Sequence, residues 1–198
     1  MALWQVMKTR VARFGGALVV CAAATQAMAG VAPVVSVNAT GPAVVGSPVT
    51  LQVLVASIAD LYAFQFSLSF NPAVLQATAV SEGAFLPTGG GTTFDDGTTN
   101  NTLGKVSLVA DTLSGFVPGV TGGGVLASFT FNVIGAGTSV LSFSDLVFID
   151  STLEDISVFA QNGILQAVPE PQAVLLMALG VAGLLATQRR RAGAAVRL

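Results

Sequence analysis

Alternation of apolar and polar side chains is the dominant pattern in the middle of the chain. It runs without a break over residues 62–70. The apolar positions of this segment are Tyr62, Phe64, Phe66, Leu68 and Phe70, and the polar positions are Gln65, Ser67 and Ser69. A period of two places these two sets on opposite sides of an extended chain. The pattern therefore predicts a half-buried β-strand.

Seven further segments are also predicted to be strands. They cover residues 34–40, 49–55, 74–80, 104–111, 125–133, 139–149 and 156–167. Runs rich in Gly, Pro, Asn and Asp separate them, and such runs are typical of turns. Many short strands with this punctuation predict an all-β sandwich or jelly roll, and residues 30–167 are enough to bury a core.

Charge is distributed unevenly along the chain of 198 residues, of which 9% are charged and 53% hydrophobic. This composition excludes a disordered chain. Seven of the eight basic residues lie near the two ends. Between Gly30 and Val168 the chain has one basic residue, Lys105, and nine acidic residues, a net charge of −8. We therefore expect no nucleic-acid partner, because this field repels phosphates.

The N-terminus has the three parts of a secretory signal peptide over residues 1–29. A basic segment precedes an apolar run at 14–24, and the small residues Ala27 and Ala29 predict cleavage before Gly30. A buried core helix is the alternative. Cys21 lacks the preceding small residue that lipid attachment requires. It is removed with the signal peptide, so the mature chain has no disulfide.

The C-terminus carries a second targeting pattern over residues 168–191. Pro169, Glu170 and Pro171 precede an apolar run at 173–187, and a basic cluster follows. The cluster consists of Arg189, Arg190 and Arg191. The run predicts a transmembrane helix of about 22 Å, shorter than the roughly 30 Å hydrocarbon core. Arginines that reach the interface compensate for this and favour a cytoplasmic tail at 192–198.

This order of features resembles the PEP-CTERM sorting signal, although a plain membrane anchor is the alternative. The resemblance implies recognition by an exosortase, a membrane enzyme that processes the chain near the motif. It also implies export across the inner membrane of a Gram-negative bacterium. The chain would be anchored in the membrane transiently through its C-terminal helix, and then be placed at the cell surface or in the extracellular matrix.

The middle of the chain resembles cohesin domains over residues 34–166. The similarity lies in the strand at 45–51, the stretch at 64–75 with its Asn71-Pro72 turn, the stretch at 123–131 and the closing segment at 162–165. Many cohesins have Asp where this chain has Asn71, and both residues favour the turn. The resemblance implies a nine-stranded jelly-roll β-sandwich related to carbohydrate-binding modules.

Catalysis is not expected in this domain, because it has no His or Cys to act near neutral pH. Two acids facing each other across a cleft would favour a glycosidase instead. Calcium is the one candidate cofactor, since Asp95, Asp96 and Asn100 offer oxygen ligands. Asp150 with the acids at 154–155 offers another set. Solvated acidic loops are the simpler explanation of both runs.

Two binding functions remain open for the exported domain. The cohesin resemblance implies docking of a dockerin, a small calcium-loaded helical module, and the polar face of Gln65, Ser67 and Ser69 is a candidate contact surface. The alternative is a structural or polysaccharide-binding protein of the extracellular matrix. Sugar sites use exposed Trp or Tyr. The only Trp is lost with the signal peptide and Tyr62 falls on the apolar face, so stacking on crystalline polysaccharide is not favoured.

Overall fold

A computed structural model describes residues 31–169, 177 and 179–182 of the chain. Over these residues it contains eleven strands and one short 3-10 helix, Leu86–Gly89. The strands are β1 (Val34–Ala39), β2 (Ala43–Val44), β3 (Pro48–Ser69), β4 (Leu75–Glu82), β5 (Thr92–Asp95), β6 (Thr98–Asn100), β7 (Lys105–Leu113), β8 (Val120–Val133), β9 (Gly137–Asp150), β10 (Phe159–Gln161) and β11 (Gly163–Val168).

The strands form two layers that share β3. In the first layer, sheet one, residues 48–56 of β3 lie between β1 and β8, and β10 and β4 complete the edges. In the second layer, sheet two, residues 61–69 of β3 lie between β9 and β7. Beyond β9 come β11 and β2, and beyond β7 come β5 and β6. The domain is therefore a β-sandwich with one strand in both sheets.

A corner in the middle of β3 transfers the strand from one sheet to the other. Ser57 and Asp60 have positive φ angles of 58° and 56°, which lets the backbone change direction there. The carboxylate of Asp60 accepts hydrogen bonds from the N–H of Gly119 at 2.7 Å and from the hydroxyl of Ser151 at 2.6 Å. The bond from Ser151 is the main cause that lowers the pKa of Asp60. One carboxylate thus ties the corner to the segments around β8 and β9.

Aromatic side chains fill the space between the sheets. The ring of Phe66, fully buried, lies 5.8 Å from that of Phe64, 6.1 Å from that of Phe129 and 5.8 Å from that of Phe143. These centroid distances are typical of favourable aromatic pairs. Phe66 therefore links the two layers at the centre of the core.

The sequence correctly predicted a β-sandwich, while the division into strands differs in detail. The apolar positions of residues 49–55 and 62–70 point into the core as predicted, but the two segments form one strand, β3. The segment predicted at 156–167 is divided into β10 and β11. The structure adds the short strands β2, β5 and β6, which are two to four residues long and too short to show alternation.

Several predictions fall on the two ends of the chain. The signal peptide with Ala27, Ala29 and Gly30 lies outside the described residues, as do Glu170, Pro171 and the arginines at 189–191. In the region predicted as a transmembrane helix, residues 177 and 179–182 are helical. No helix within the described residues is long and apolar enough to cross a membrane.

Removing the Phe66 ring should destabilise the domain strongly. We expect Phe66→Ala to lower the free energy of unfolding by about 3–5 kcal/mol, because the truncation leaves a cavity among three neighbouring rings. Urea unfolding of the variant measures this loss. Phe116→Ala is the matched control, since that ring is fully exposed. Equal stabilities of the two variants would contradict the placement of Phe66.

Candidate functional site

The predicted contact surface lies at the middle of the outer side of sheet two, which we call the outer face. Gln65 and Ser69 are partly exposed there. Ser67 lies between them but is completely buried, so the prediction that all three side chains form an exposed polar strip is wrong for Ser67. Alternation places Ser67 on the outer side, and its neighbours on β7 and β9 then cover it.

Two β-bulges cover Ser67, one on each neighbouring strand. The residues of β7 that pair with Phe66 and Leu68 have one more residue between them than Phe66 and Leu68 have in β3. The residues of β9 that pair with Gln65 and Ser67 likewise have one extra residue between them. Leu108 in β7 and Asp145 in β9 adopt positive φ angles of 58° and 54°. A left-handed residue at an extra position is typical of a bulge that is usually built with glycine.

The hydroxyl of Ser67 lies between the two bulges. Its oxygen accepts a hydrogen bond from the N–H of Leu108 at 3.1 Å. Ser67 is also the largest of the causes that lower the pKa of the Asp145 carboxyl, followed by Lys105 and Ser144. The ammonium of Lys105 lies 3.1 Å from the Asp145 carboxylate and forms a salt bridge across β3. The centre of the outer face is therefore a tightly bonded unit from which Leu108 projects.

A shallow groove of about 240 Å³ adjoins this unit on the same face. The small side chains of Ala63 and Ala110 form part of its lining, and the larger Val147 and Ile149 of β9 border it. Gln65 and threonines of β5 and β7 supply polar groups at the rim. Rigid strands thus present an apolar depression with hydrogen-bonding groups around it, an arrangement suited to receiving part of another molecule.

The proposed calcium ligands do not come together. Asp95 pairs with Ala110, whereas Asn100 pairs with Lys105, five positions further along β7. At the rise of a strand this separates them by about 17 Å. The oxygens of Asp95 and Asn100 already accept backbone hydrogen bonds from Gly97 and Leu103. The segment was predicted as a flexible loop, but it follows the edge of β7, which keeps Asp95 and Asn100 apart.

The carboxylate of Asp150 is also occupied by backbone hydrogen bonds, in the turn that follows β9. Its carboxylate accepts hydrogen bonds from the N–H groups of Thr152 at 2.8 Å and Glu154 at 3.0 Å, and the bond from Glu154 is the main cause that lowers its pKa. Over the part of the chain that the structure describes, no three acidic, His or Cys side chains are grouped as a metal site would require.

The burial of one acidic residue, Asp111, was not predicted from the sequence. Asp111 is 2% exposed, and neither of its carboxylate oxygens has a hydrogen-bond partner. It points into the core between the apolar positions Val109 and Leu113, and Glu82 on the facing edge is close enough to interact. The burial of Asp111 could have been predicted from the alternation of β7, because Asp111 lies on the same face as these two apolar residues.

Asp111 and Glu82 do not provide the two catalytic acids that a glycosidase would need. A glycosidase needs two carboxyl groups that reach the substrate from a cleft. The oxygens of Asp111 are closed off from solvent inside the sandwich, so a sugar has no access to them. Burial, followed by the negative charge of Glu82, raises the pKa of Asp111 to about 7. The protonated acid is the form that this environment favours.

Aromatic side chains do not form a sugar-binding platform in the described domain. Tyr62 is partly buried against the core, and its hydroxyl donates a hydrogen bond to the carbonyl of Gly115 at 2.6 Å. Among the phenylalanines, Phe85 is buried, Phe94 packs against the core, and Phe116 and Phe159 are exposed. These exposed rings lack the polar group that Trp and Tyr carry, so they are less suited to binding a sugar.

Stability should decrease as the pH rises from 4 to 7. The folded state keeps the proton of Asp111 up to about pH 7, whereas the unfolded chain releases it near 3.8. Within this window the unfolded state binds fewer protons, so the free energy of unfolding falls by about 2–4 kcal/mol and levels off above pH 7. Asp60, Asp145 and Asp150, with lowered pKa values, lose their contributions only below about pH 4.

Urea unfolding at pH 4.5, 6 and 7.5 measures this dependence. In Asp111→Asn the decline should disappear, because the amide cannot ionise. Asp96→Asn removes a charge outside the core and should retain the wild-type decline. A wild-type stability that is flat or rises over this range would contradict the assignment of Asp111.

The family model of the cohesin domain matches residues 33–166, and that of the PEP-CTERM protein-sorting motif matches residues 167–191. No curated protein matches the chain.

Several solved structures are similar to the domain. A non-cellulosomal cohesin from the archaeon Archaeoglobus fulgidus has 20% identity and a TM-score of 0.58 over 72% of this chain and 96% of its own. A type II cohesin from a scaffoldin of Acetivibrio cellulolyticus has 19% identity and a TM-score of 0.59, with coverages of 72% and 94%. A type I cohesin from Clostridium thermocellum, solved with a dockerin, has 15% identity and a TM-score of 0.57, with coverages of 70% and 94%. At these identities the similarity establishes the sandwich fold.

Proposed function

The chain belongs to the cohesin domain family and carries a PEP-CTERM sorting motif, and from this we propose that it is an exported, non-catalytic module that binds a dockerin through the outer face of sheet two. The observation that carries the proposal is the combination on this face of an apolar groove, a projecting Leu108 and a rigid hydrogen-bonded centre. Several similar structures are cohesins solved in complex with dockerins, which supports a dockerin as the partner.

The groove and its surroundings suit a helical partner. Ala63 and Ala110 allow a partner to approach the sheet closely, and Val147, which is 45% exposed, offers apolar surface beside them. Buried apolar contacts at the centre with polar groups at the rim are the usual anatomy of a protein interface. The face itself needs no metal ion for this role. Calcium dependence of the complex would come from the dockerin, as the cohesin resemblance implies.

The sorting motif begins inside the folded domain. Residues 167–168 belong to the motif and also to β11, where they pair with β2. Ala167 is buried, and the carbonyl of Val168 accepts a hydrogen bond from the N–H of Val45 at 3.0 Å. Pro169 follows directly. We infer that an exosortase processes the chain close to the surface of the sandwich and that the domain reaches the cell surface or extracellular matrix afterwards.

A charged side chain in the groove should weaken docking strongly. We expect Ala63→Arg to weaken dockerin binding at least 10–100-fold, because the long cation fills the depression and is desolvated in the interface. Titration of the full-length chain in detergent with calcium-loaded dockerin modules from the same organism measures the affinity. Ala79→Arg, on an exposed position of β4 in sheet one, is the matched control and should bind as the wild type does.

Different results would decide against parts of this proposal. Binding that survives Ala63→Arg would exclude the outer face. Binding of secreted polysaccharide, with no dockerin bound in the presence of calcium, would replace the dockerin by a matrix glycan. Loss of binding on addition of a chelator is expected, since it removes calcium from the dockerin.

Substitution in the sorting motif should block processing. In Glu170→Ala we expect the chain to remain in the membrane fraction at its unprocessed mass, because the acid at the centre of the motif is lost. Mass spectrometry of membrane and secreted fractions from the native host distinguishes the two forms. Glu154→Ala, an identical substitution in an exposed turn, should be processed normally. Unchanged mass and location of the Glu170 variant would refute the sorting role.

A further inference from the structure

One residue of the outer face combines a strained backbone with a large, exposed apolar side chain. Leu108 has a φ of +58° and is 52% exposed. A left-handed backbone is unfavourable for a bulky residue, and glycine or asparagine would adopt it more easily. The exposed half of the side chain gains nothing from burial in the domain. Strain that the fold itself does not use is characteristic of functional positions.

Ser67 holds Leu108 in this conformation. Its hydroxyl is fully buried below the bulge and accepts a hydrogen bond from the N–H of Leu108 at 3.1 Å. Lys105 pairs with Asp145 and closes the unit. The charges next to Leu108 therefore neutralise each other. The part of this unit that a partner can contact is the exposed isobutyl group of Leu108.

We propose that Leu108 is the apolar anchor of the docking face and inserts into a hydrophobic pocket of the dockerin, with Ser67 as the positioning residue that holds it. This inference rests on the proposed function and names the residues that determine its affinity. A few anchors near the centre of an interface usually carry most of the binding energy. A side chain held in its bound conformation before contact loses less conformational entropy on binding.

A second leucine allows the effects of backbone strain and of docking to be tested separately. Leu153 also has a positive φ, 66°, and is 70% exposed. It lies in the turn after β9, where its N–H donates to the carbonyl of Asp150 at 3.0 Å, and it is not part of the outer face. Leu108 and Leu153 thus share backbone conformation and exposure but differ in location.

Asparagine at each position provides the test, because it tolerates the left-handed conformation. In the full-length chain, Leu108→Asn and Leu153→Asn should each keep or raise the melting temperature, by up to about 5 °C. The affinity for the calcium-loaded dockerin modules should fall at least tenfold in Leu108→Asn and change less than twofold in Leu153→Asn. Equal affinities would overturn the anchor, and so would a lowered melting temperature of Leu108→Asn, which would show that Leu108 serves the fold.

A double-mutant cycle tests the role of Ser67. Ser67→Ala should weaken dockerin binding in the wild-type chain but have little further effect in Leu108→Asn, because both changes remove the same contact. Additive losses would show that Ser67 does not act through Leu108. Failure of the wild-type chain to bind any dockerin would refute the proposed function and this inference together, whereas wild-type binding with an unaffected Leu108→Asn refutes the inference alone.

Discussion

Both sheets of the domain depend on the single strand β3, since its two halves occupy central positions in different layers. Pro48–Ser69 pairs with four other strands, and its alternating side chains contribute to both walls of the core. The corner at Ser57 and Asp60 makes this sharing feasible, and hydrogen bonds to Asp60 fix the corner. The same corner places residues 61–69 at the centre of the outer face, so the core and the candidate docking surface have a common origin.

Much of this arrangement could be predicted from local patterns. Period-two alternation correctly placed Phe64 and Phe66 in the core, because strand geometry leaves each side chain only two directions. The family resemblance then supplied the jelly-roll sandwich. The burial of Asp111 could also be predicted from the alternation of β7, which places it on the face of Val109 and Leu113. Charged residues are rarely buried, so this position is unusual for an acid.

The parts that could not be predicted depend on neighbouring strands. Ser67 occupies an outward position in its own strand, and its burial results from extra residues in β7 and β9 that are distant in sequence. Nothing in the sequence around Leu108 indicates a left-handed residue, since leucine is a poor choice for one. Asn100 and Asp95 lie close in sequence, yet pairing along β7 separates them. Sequence patterns reveal which way a strand faces, but not where the adjacent strand gains a residue.

The scarcity of basic residues protects the domain against one class of proteases. Proteases of the trypsin type cut after lysine or arginine, and between Gly30 and Val168 the chain offers them Lys105 alone. That side chain is 34% exposed, lies at the start of β7 and is paired with Asp145. Cleavage at this peptide bond requires local opening of a central part of sheet two. The folded domain is thereby resistant to this class of proteases.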